Sequence, residues 1–302
     1  MKDTALKKLP IKALPKLLKQ TFMRWLDSDP WRLSAIIAYY TVLSLPALLV
    51  IIINSIGALW GEDIVQGKLT QEFSAVLGVN AAESIKTMIT ETQQADKNLI
   101  STIIGVATLL FGSTGVFYHL QLSLNEIWGL QANPTNSINI WGMIKSRARG
   151  FAFILVIGFL LLISLVVSTG ISLLNGYIKS MFPDVVLYAA YVFDFILSLA
   201  IVATLFALMF KYLPDAIIKW RSVWVGGFLT ALLFVLGQSL LGFYFGTSNP
   251  GSTYGAAGTV VLILLWVSYS CLILFFGAQF TWVYSNYLGI GVAPNSHAVK
   301  AE

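Results

Sequence analysis

One acidic residue, Asp194, lies seven residues inside the fourth of six long apolar stretches in this 302-residue chain. In a membrane-spanning helix, which rises ~1.5 Å per residue, Asp194 would lie ~10 Å from the helix end, where a bare carboxylate is costly. Such a group is expected to be hydrogen-bonded, paired or protonated. Tyr191 and Ser198 share its helical face. The pattern leaves two roles open: proton or cation coupling through Asp194, or a structural carboxyl bonded to tyrosine.

A second polar set follows one face near the end of the second apolar stretch. Spacings of 4, 3, 4 and 3 residues place five side chains on that face: Thr114, Tyr118, Gln121, Asn125 and Trp128. Gly112 and Gly115 lie beside them and allow another backbone to approach closely. A polar face is expected to contact protein or water rather than lipid. The set therefore predicts either a cavity lining or hydrogen bonds between helices.

A proline, Pro46, lies at the centre of the first stretch and predicts a kinked helix, because it removes a backbone donor. Further polar side chains on the first, fifth and sixth stretches complete the candidate set: Tyr40, Ser44, Asn54, Gln238 and Gln279. A kinked first helix beside a polar second helix predicts a hydrophilic pocket, with static packing as the alternative.

Metal and nuclease chemistry need clustered His, Cys, Asp or Glu side chains in an accessible site. The chain has only two histidines, His119 and His297, and one cysteine, Cys271, which lies inside the last apolar stretch. Six of the 14 acidic residues are scattered over the connection 61–98. We therefore predict no metal site, no cofactor and no ribonuclease activity. The basic residues flank apolar stretches instead of forming a groove, so no nucleic-acid partner is expected.

Six apolar stretches must position these residues: 33–59, 99–124, 150–175, 187–210, 222–245 and 257–285. Each exceeds the ~20 residues that cross ~30 Å of hydrocarbon as a helix. Apolar residues make up 57% of the chain and charged residues 11%, which excludes an ordinary soluble domain. We predict an all-α, multi-pass membrane protein whose six-helix domain spans residues 33–285.

The basic residues indicate sidedness. Of the 19 Lys and Arg residues, 15 fall in the arm 1–32, the second-to-third and fourth-to-fifth connections and the tail 286–302. The positive-inside rule then places these segments and both termini in the cytoplasm. Six spans with this topology permit an inverted repeat of three plus three helices, although the residues show no convincing match between the halves.

The arm and the long first connection predict amphipathic helices outside the spans. In the arm, apolar residues recur at helical spacing between basic ones, which predicts a helix in the cytoplasmic interface or against the bundle's own ends. Candidate contacts for anionic headgroups are Lys12, Lys16, Lys19, Arg24, Arg147 and Arg149. The connection 61–98 would cap a cavity, contact an envelope protein or pack on the surface. Glycine-rich helix faces leave room for a homodimer.

Several strings, in order over residues ~20–290, resemble the YihY/BrkB family of bacterial inner-membrane proteins. They are Ala38-Tyr39-Tyr40-Thr41 with Pro46, Gly112-Ser113-Thr114-Gly115 followed by Leu120-Gln121, Leu124-Asn125 and Ile127-Trp128, Tyr212-Leu213-Pro214-Asp215, and Tyr254-Gly255-Ala256-Ala257-Gly258. The resemblance implies six spans in the inner membrane and a link to virulence, serum resistance and envelope lipid traffic. It supplies no catalytic residues. The family long carried a ribonuclease BN label, which the residues argue against.

Three hypotheses follow. The first is a lipid-handling protein or transporter that moves a lipid or amphiphile between leaflets or to an envelope partner. The second is an ion or small-solute transporter coupled through Asp194, and the third is a membrane scaffold without transport activity. The shape of the cavity distinguishes them. An open groove with apolar walls favours lipid, a narrow closed polar cavity favours ions or small solutes, and the absence of a cavity favours the scaffold.

Overall fold

The computed structural model describes residues 13–44, 61, 115–133, 184–248 and 257–301 apart from His297, with scattered residues between 66 and 90. Its helices are α1 (Leu14–Asp27), α2 (30–44), α3 (115–127), α4 (Asp184–Tyr212), α5 (Trp220–Ser248) and α6 (Gly258–Tyr287). Its strands are β1 (Leu130–Ala132), β2 (Ala216–Ile217), β3 (Ala293–Pro294) and β4 (Ala298–Lys300). In the connection 61–98, residues 69–71 and 85–87 are helical.

Three helices are long and apolar enough to cross a membrane: Phe195–Tyr212 of α4, Trp220–Phe245 of α5 and Gly258–Tyr287, the whole of α6. They coincide with the predicted fourth, fifth and sixth stretches. A helix is required here because hydrocarbon offers no partner to an unpaired backbone group. The first two predicted spans are described only in part, as α2 and α3, and the third (150–175) lies outside the described residues. The described chain is thus a mostly helical membrane protein with three candidate spans.

The chain forms two compact units. The first comprises Met1–Phe22, Trp128–Val235 and Gly277–Glu302, and the second comprises Met23–Ile127 and Leu236–Phe276. Three of the helices, α1, α5 and α6, contribute residues to both. The described strands all belong to the first unit.

Two glycines and two threonines interlock α5 and α6 in the first unit. Thr230 Oγ1 donates to the carbonyl of Gly226 at 2.7 Å, and Thr281 Oγ1 donates to the carbonyl of Gly277 at 2.8 Å. Each threonine is fully buried, and this bond within its own helix satisfies its hydroxyl. A Cβ atom at Gly226 would overlap Thr281 Oγ1 and lie 2.9 Å from its Cβ. One at Gly277 would meet Thr230 in the same way, so only glycine fits at either position.

The neighbouring glycine, Gly227, seats α5 against α4. A Cβ atom there would lie 2.9 Å from both the carbonyl oxygen of Ala203 and the backbone nitrogen of Ala207. Phe206 of α4 packs edge-on against Phe234 of α5, with ring centroids 5.7 Å apart. In a bilayer, where lipid chains are as apolar as leucine, such close packing of small residues is what holds helices together.

The helix ends of the first unit carry a strand cap, formed by residues 129–133, 213–219, 288–296 and 298–301. In it, β1 pairs antiparallel with β4 and β2 pairs antiparallel with β3. The backbone nitrogen of Asn295 donates to the carbonyl of Asp215 at 3.0 Å, and its Nδ2 donates to Asp215 Oδ1 at 3.2 Å. Segments joined by hydrogen bonds lie on one side of a membrane. The end of α4, the start of α5 and the end of α6 therefore meet at the strand cap, and the side of the membrane on which it lies stays a prediction.

The strand cap departs from the all-α prediction, which treated residues 286–302 as a plain tail. Its strands are two or three residues long. Strands this short show no alternation of polar and apolar residues, so the sequence carries no signal for them.

The amphipathic helix α1 packs on the end of α6. Leu17 of α1 is buried in an apolar cluster with four residues at or just after the end of α6: Phe280, Val283, Tyr284 and Leu288. Contact with the bundle's own end, one of the two predicted alternatives, is therefore present. Phe22, Met23 and Leu26 remain exposed beside Lys19 and Arg24, and contact of that face with lipid stays a prediction.

Candidate functional site

An open groove lies between α4 and α5, and its walls are almost entirely apolar. This α4–α5 groove has a volume of about 280 Å³ and is lined by Ile196, Leu199, Ala200, Ala203, Thr204, Trp224 and Phe228. The Thr204 hydroxyl donates to the carbonyl of Ala200 at 2.7 Å within its own helix. Trp224 and Phe228 are about half exposed. All the lining residues fall within the two candidate spans.

A second cleft of about 450 Å³ lies at the strand cap. This basic cleft is lined by Lys211, Ile217, Ile218, Lys219, Trp220, Ile290, Gly291 and Ala293. Lys211 Nζ donates to the carbonyl of Ile218 at 2.6 Å and lies 5.7 Å from the centroid of the Trp220 ring. Among the described residues no carboxylate forms an ion pair with Lys211 or Lys219. The cleft therefore carries two positive charges without a described counter-ion.

The basic cleft and the α4–α5 groove lie along one face of the helix pair. On α5, Trp220, Trp224 and Phe228 are four residues apart and share a face, with the two tryptophan ring centroids 6.3 Å apart. On α4, Thr204 of the groove and Lys211 of the cleft are seven residues, or about two helical turns, apart, so they also share a face. At ~1.5 Å per residue, Phe228 lies ~12 Å along α5 from Trp220. Along this face the basic cleft comes first and the apolar groove begins one helical turn later, at Trp224; we refer to these two separate cavities, in this order, as the track.

In the second unit, α2 and α3 bring two aromatic rings together. The Tyr40 ring stacks on the His119 imidazole, with ring centroids 4.3 Å apart. A Cβ atom at Gly115 would lie 2.9 Å from Tyr40 Cδ1, so this glycine makes room for the tyrosine. The contact gives a packing role to Tyr40 and Gly115, which belong to two of the strings that carry the family resemblance.

The side chains on the predicted polar face of α3 differ in their exposure to solvent. Gln121, Asn125 and Trp128 are at most 7% exposed, whereas Tyr118 is 46% exposed. In the first unit Trp128 Nε1 donates to the carbonyl of Ala278 in α6 at 2.9 Å. For Trp128 the contact is thus a hydrogen bond between segments, which is one of the two roles that the spacing predicted.

The other predicted residues are dispersed. Ser44, which donates to the carbonyl of Thr41 at 3.2 Å, and Gln279 are buried. The exposed candidates are Ser198, Gln238, Lys16, Lys19 and Arg24. Tyr191 and Asp194 belong to α4, but their side chains lie outside the described part of the structure. Also outside the described residues are Pro46, Asn54, Thr114, Lys12, Arg147 and Arg149.

An ion pair between α2 and α3 was missed by the sequence interpretation. Arg32 Nη2 lies 2.5 Å from Glu126 Oε1, and Arg32 Nε lies 3.2 Å from Asp29 Oδ2. The hydrogen bond and charge of Glu126 raise the pKa of the Arg32 guanidinium, with a smaller contribution from Asp29. The two residues are 94 positions apart in the sequence, and Glu126 lies two residues beyond the end of the second stretch, so spacing gives no signal for the pair.

Removing this ion pair is expected to have a small effect. Because both side chains are about half exposed, Glu126→Gln should lower the free energy of unfolding by less than about 1 kcal/mol. Thermal unfolding in detergent measures the change, with Lys19→Gln as the control. Arg32→Gln should cost less in the Glu126→Gln background than in the native protein, and strictly additive effects would contradict the pairing.

Among the described residues no group of three or more His, Cys, Asp or Glu side chains is placed to hold a metal ion. The described cavities instead combine apolar walls, lysine ammonium groups and tryptophan rings. Such surfaces bind amphiphiles and anions.

A family model described as Virulence factor BrkB matches residues 21–301 of the chain. A UPF0761 membrane protein of Haemophilus influenzae (strain 86-028NP) is 25% identical over 257 residues, which cover 80% of this chain and 85% of the relative. A UPF0761 membrane protein of Verminephrobacter eiseniae is 28% identical over 204 residues, 67% of this chain and 46% of the relative. The chain thus spans about half the length of the latter protein. No solved structure gives a significant match.

Proposed function

The chain belongs to the Virulence factor BrkB family of membrane proteins, and from this premise we propose that it binds and moves a lipid or similar amphiphile in the bacterial inner membrane without covalent catalysis. The observation that carries the proposal is the α4–α5 groove, which is open and has apolar walls. Such a groove favours lipid over an ion or a small solute, because a hydrated ion needs polar groups to replace its water.

The α4–α5 groove is suited to guiding a lipid along its surface rather than to holding one tightly. A lipid chain that enters it from the bilayer exchanges one apolar environment for another, so little hydrophobic free energy is gained. Binding then depends on close packing against Trp224 and Phe228 and on contacts to the headgroup. Weak retention along a continuous surface is what a protein that moves lipids requires, because a tightly held lipid would not be released.

We also propose how the protein is oriented in the membrane. The strand cap belongs to the two connections and the tail that the positive-inside rule assigns to the cytoplasm, so we place it on the cytoplasmic side. The basic cleft would then lie at the level of the inner-leaflet headgroups, and the groove would run from it into the membrane. Contact with an envelope protein through residues 61–98, and a homodimer, remain predictions.

The direct test is lipid translocation in proteoliposomes. Purified protein is reconstituted with a trace of a headgroup-labelled fluorescent lipid, and a membrane-impermeant reductant bleaches label in the outer leaflet. We expect inner-leaflet label to become accessible in vesicles that hold the protein, and to stay protected in protein-free vesicles and in vesicles with an unrelated helical membrane protein. Equal protection in all three preparations would rule out lipid movement by this protein.

Ion coupling predicts a different result in the same vesicles. If Asp194 couples transport, an imposed proton gradient should drive solute uptake that Asp194→Asn abolishes. Ser198, which the sequence places on the helical face of Asp194, does not line the α4–α5 groove, so lipid movement and ion coupling are separable by mutation. The absence of both activities would favour the scaffold.

A further inference from the structure

We infer that the basic cleft binds the phosphate headgroup of an anionic phospholipid while one acyl chain of the same molecule lies in the α4–α5 groove. This inference rests on the proposed lipid function and adds the class of lipid. The shared chemistry is a phosphate anion, and the source that we favour is a lipid, because the apolar groove begins one helical turn from the cleft on the same face of α5.

The charge of the cleft supports this assignment. An ammonium group has three hydrogen-bond donors, and Lys211 donates one of them to the carbonyl of Ile218. Within the described part of the chain the other two have no hydrogen-bond partner, and neither have those of the exposed Lys219. The acid nearest in sequence, Asp215, already accepts a hydrogen bond from Asn295 at 3.2 Å. Two cations near the membrane surface without a described counter-ion favour an anionic headgroup.

The backbone adds to this charge. Helix α5 begins at Trp220, which lines the basic cleft. The first turn of a helix carries a partial positive charge from its free N–H groups. In the basic cleft this partial charge adds to the two lysine side chains that line the same cavity, and all three attract the same kind of ligand.

The apolar part of the track distinguishes a lipid from a soluble phosphate. Trp220 is 40% exposed and lies between the lysines and the groove residues Trp224 and Phe228. Tryptophan commonly lies at the level of the headgroups, with its ring against the acyl chains. A phospholipid presents a charged group and then a chain in the same order as the track. Inorganic phosphate would occupy the cleft and leave the groove unused.

The test measures lipid binding to the full-length protein by native mass spectrometry from detergent. Phosphatidylglycerol is compared with phosphatidylcholine, and inorganic phosphate is the soluble competitor. We expect the native protein to retain phosphatidylglycerol preferentially, and Lys219→Gln to weaken that binding about fivefold. Adding Lys211→Met should weaken it further. Lys219→Arg should keep the preference, and Lys300→Gln, in the same strand cap but outside the cleft, should leave it unchanged.

Each other outcome has a defined meaning. Equal binding of the two lipids, unaffected by Lys219→Gln, would overturn the inference and leave the lipid function standing. No retention of either lipid by a folded, monodisperse protein would overturn the inference, whereas the proposed lipid movement is tested separately by the translocation assay. Displacement of phosphatidylglycerol by millimolar inorganic phosphate would show that the cleft recognises a soluble anion, which would also overturn the inference.

Discussion

Replacing Gly277 by alanine is expected to lower the free energy of unfolding by about 1–3 kcal/mol or more, a typical effect of overpacking a tight contact. The new Cβ would overlap Thr230 Oγ1 and lie 2.8 Å from Thr230 Cβ. The threonine cannot swing away, because its own Cβ is part of the clash. Thermal unfolding of the detergent-solubilised protein, with size-exclusion chromatography to check dispersity, measures the loss.

Gly242→Ala is the matched control for this variant. It also replaces a glycine of a candidate span, but a Cβ there meets nothing within 4 Å. A second variant, Gly277→Ala with Thr230→Ala, removes the overlapping hydroxyl but keeps the Cβ atom at 2.8 Å, so it should recover only part of the lost stability. If Gly277→Ala were as stable as Gly242→Ala, the close α5–α6 contact would be wrong.

Ala200→Trp is expected to slow lipid translocation about tenfold, which corresponds to about 1.4 kcal/mol in the barrier. Ala200 lines the α4–α5 groove and is exposed, so a large ring there fills the groove without entering the helix contact. The measurement is the rate at which inner-leaflet label becomes accessible in proteoliposomes at matched protein incorporation.

Leu240→Trp supplies the control for the groove. Leu240 belongs to α5, is 65% exposed and does not line the α4–α5 groove. Its replacement should leave the translocation rate unchanged, because one lipid-facing side chain is exchanged for another. Equal slowing by both variants would indicate a general effect of bulk on the membrane surface and would remove the groove from the mechanism.

The last three candidate spans could be predicted from the sequence. Each membrane-spanning helix must by itself be long and apolar enough to cross the hydrocarbon, and hydropathy measures that property. The α4–α5 groove could not be predicted in this way. Most of its lining residues, such as Ile196 and Ala203, are ordinary apolar residues, and only the packing of the two helices turns them into a cavity. The polar candidates drew attention to other helix faces, and Ser198 and Gln238 line neither described cavity.

The close contact between α5 and α6 does have a signature in the sequence. Gly226 and Thr230 on α5, and Gly277 and Thr281 on α6, each form a small-xxx-small pair, which is typical of close helix contacts in membranes. Lys211 and Lys219 were counted only for sidedness. Their common cleft depends on the pairing of β2 with β3, and strands of two residues have no sequence signature.

The central claim is that a lipid chain occupies the α4–α5 groove. Electron cryomicroscopy of the protein in nanodiscs, with phospholipids brominated on the acyl chain and an antibody fragment for alignment, tests it most directly. The account predicts bromine density in contact with Trp224 and Phe228, continuous with headgroup density near Lys211 and Lys219. A groove closed by another segment of the chain, or bromine density elsewhere around the protein but absent from this groove, would contradict it.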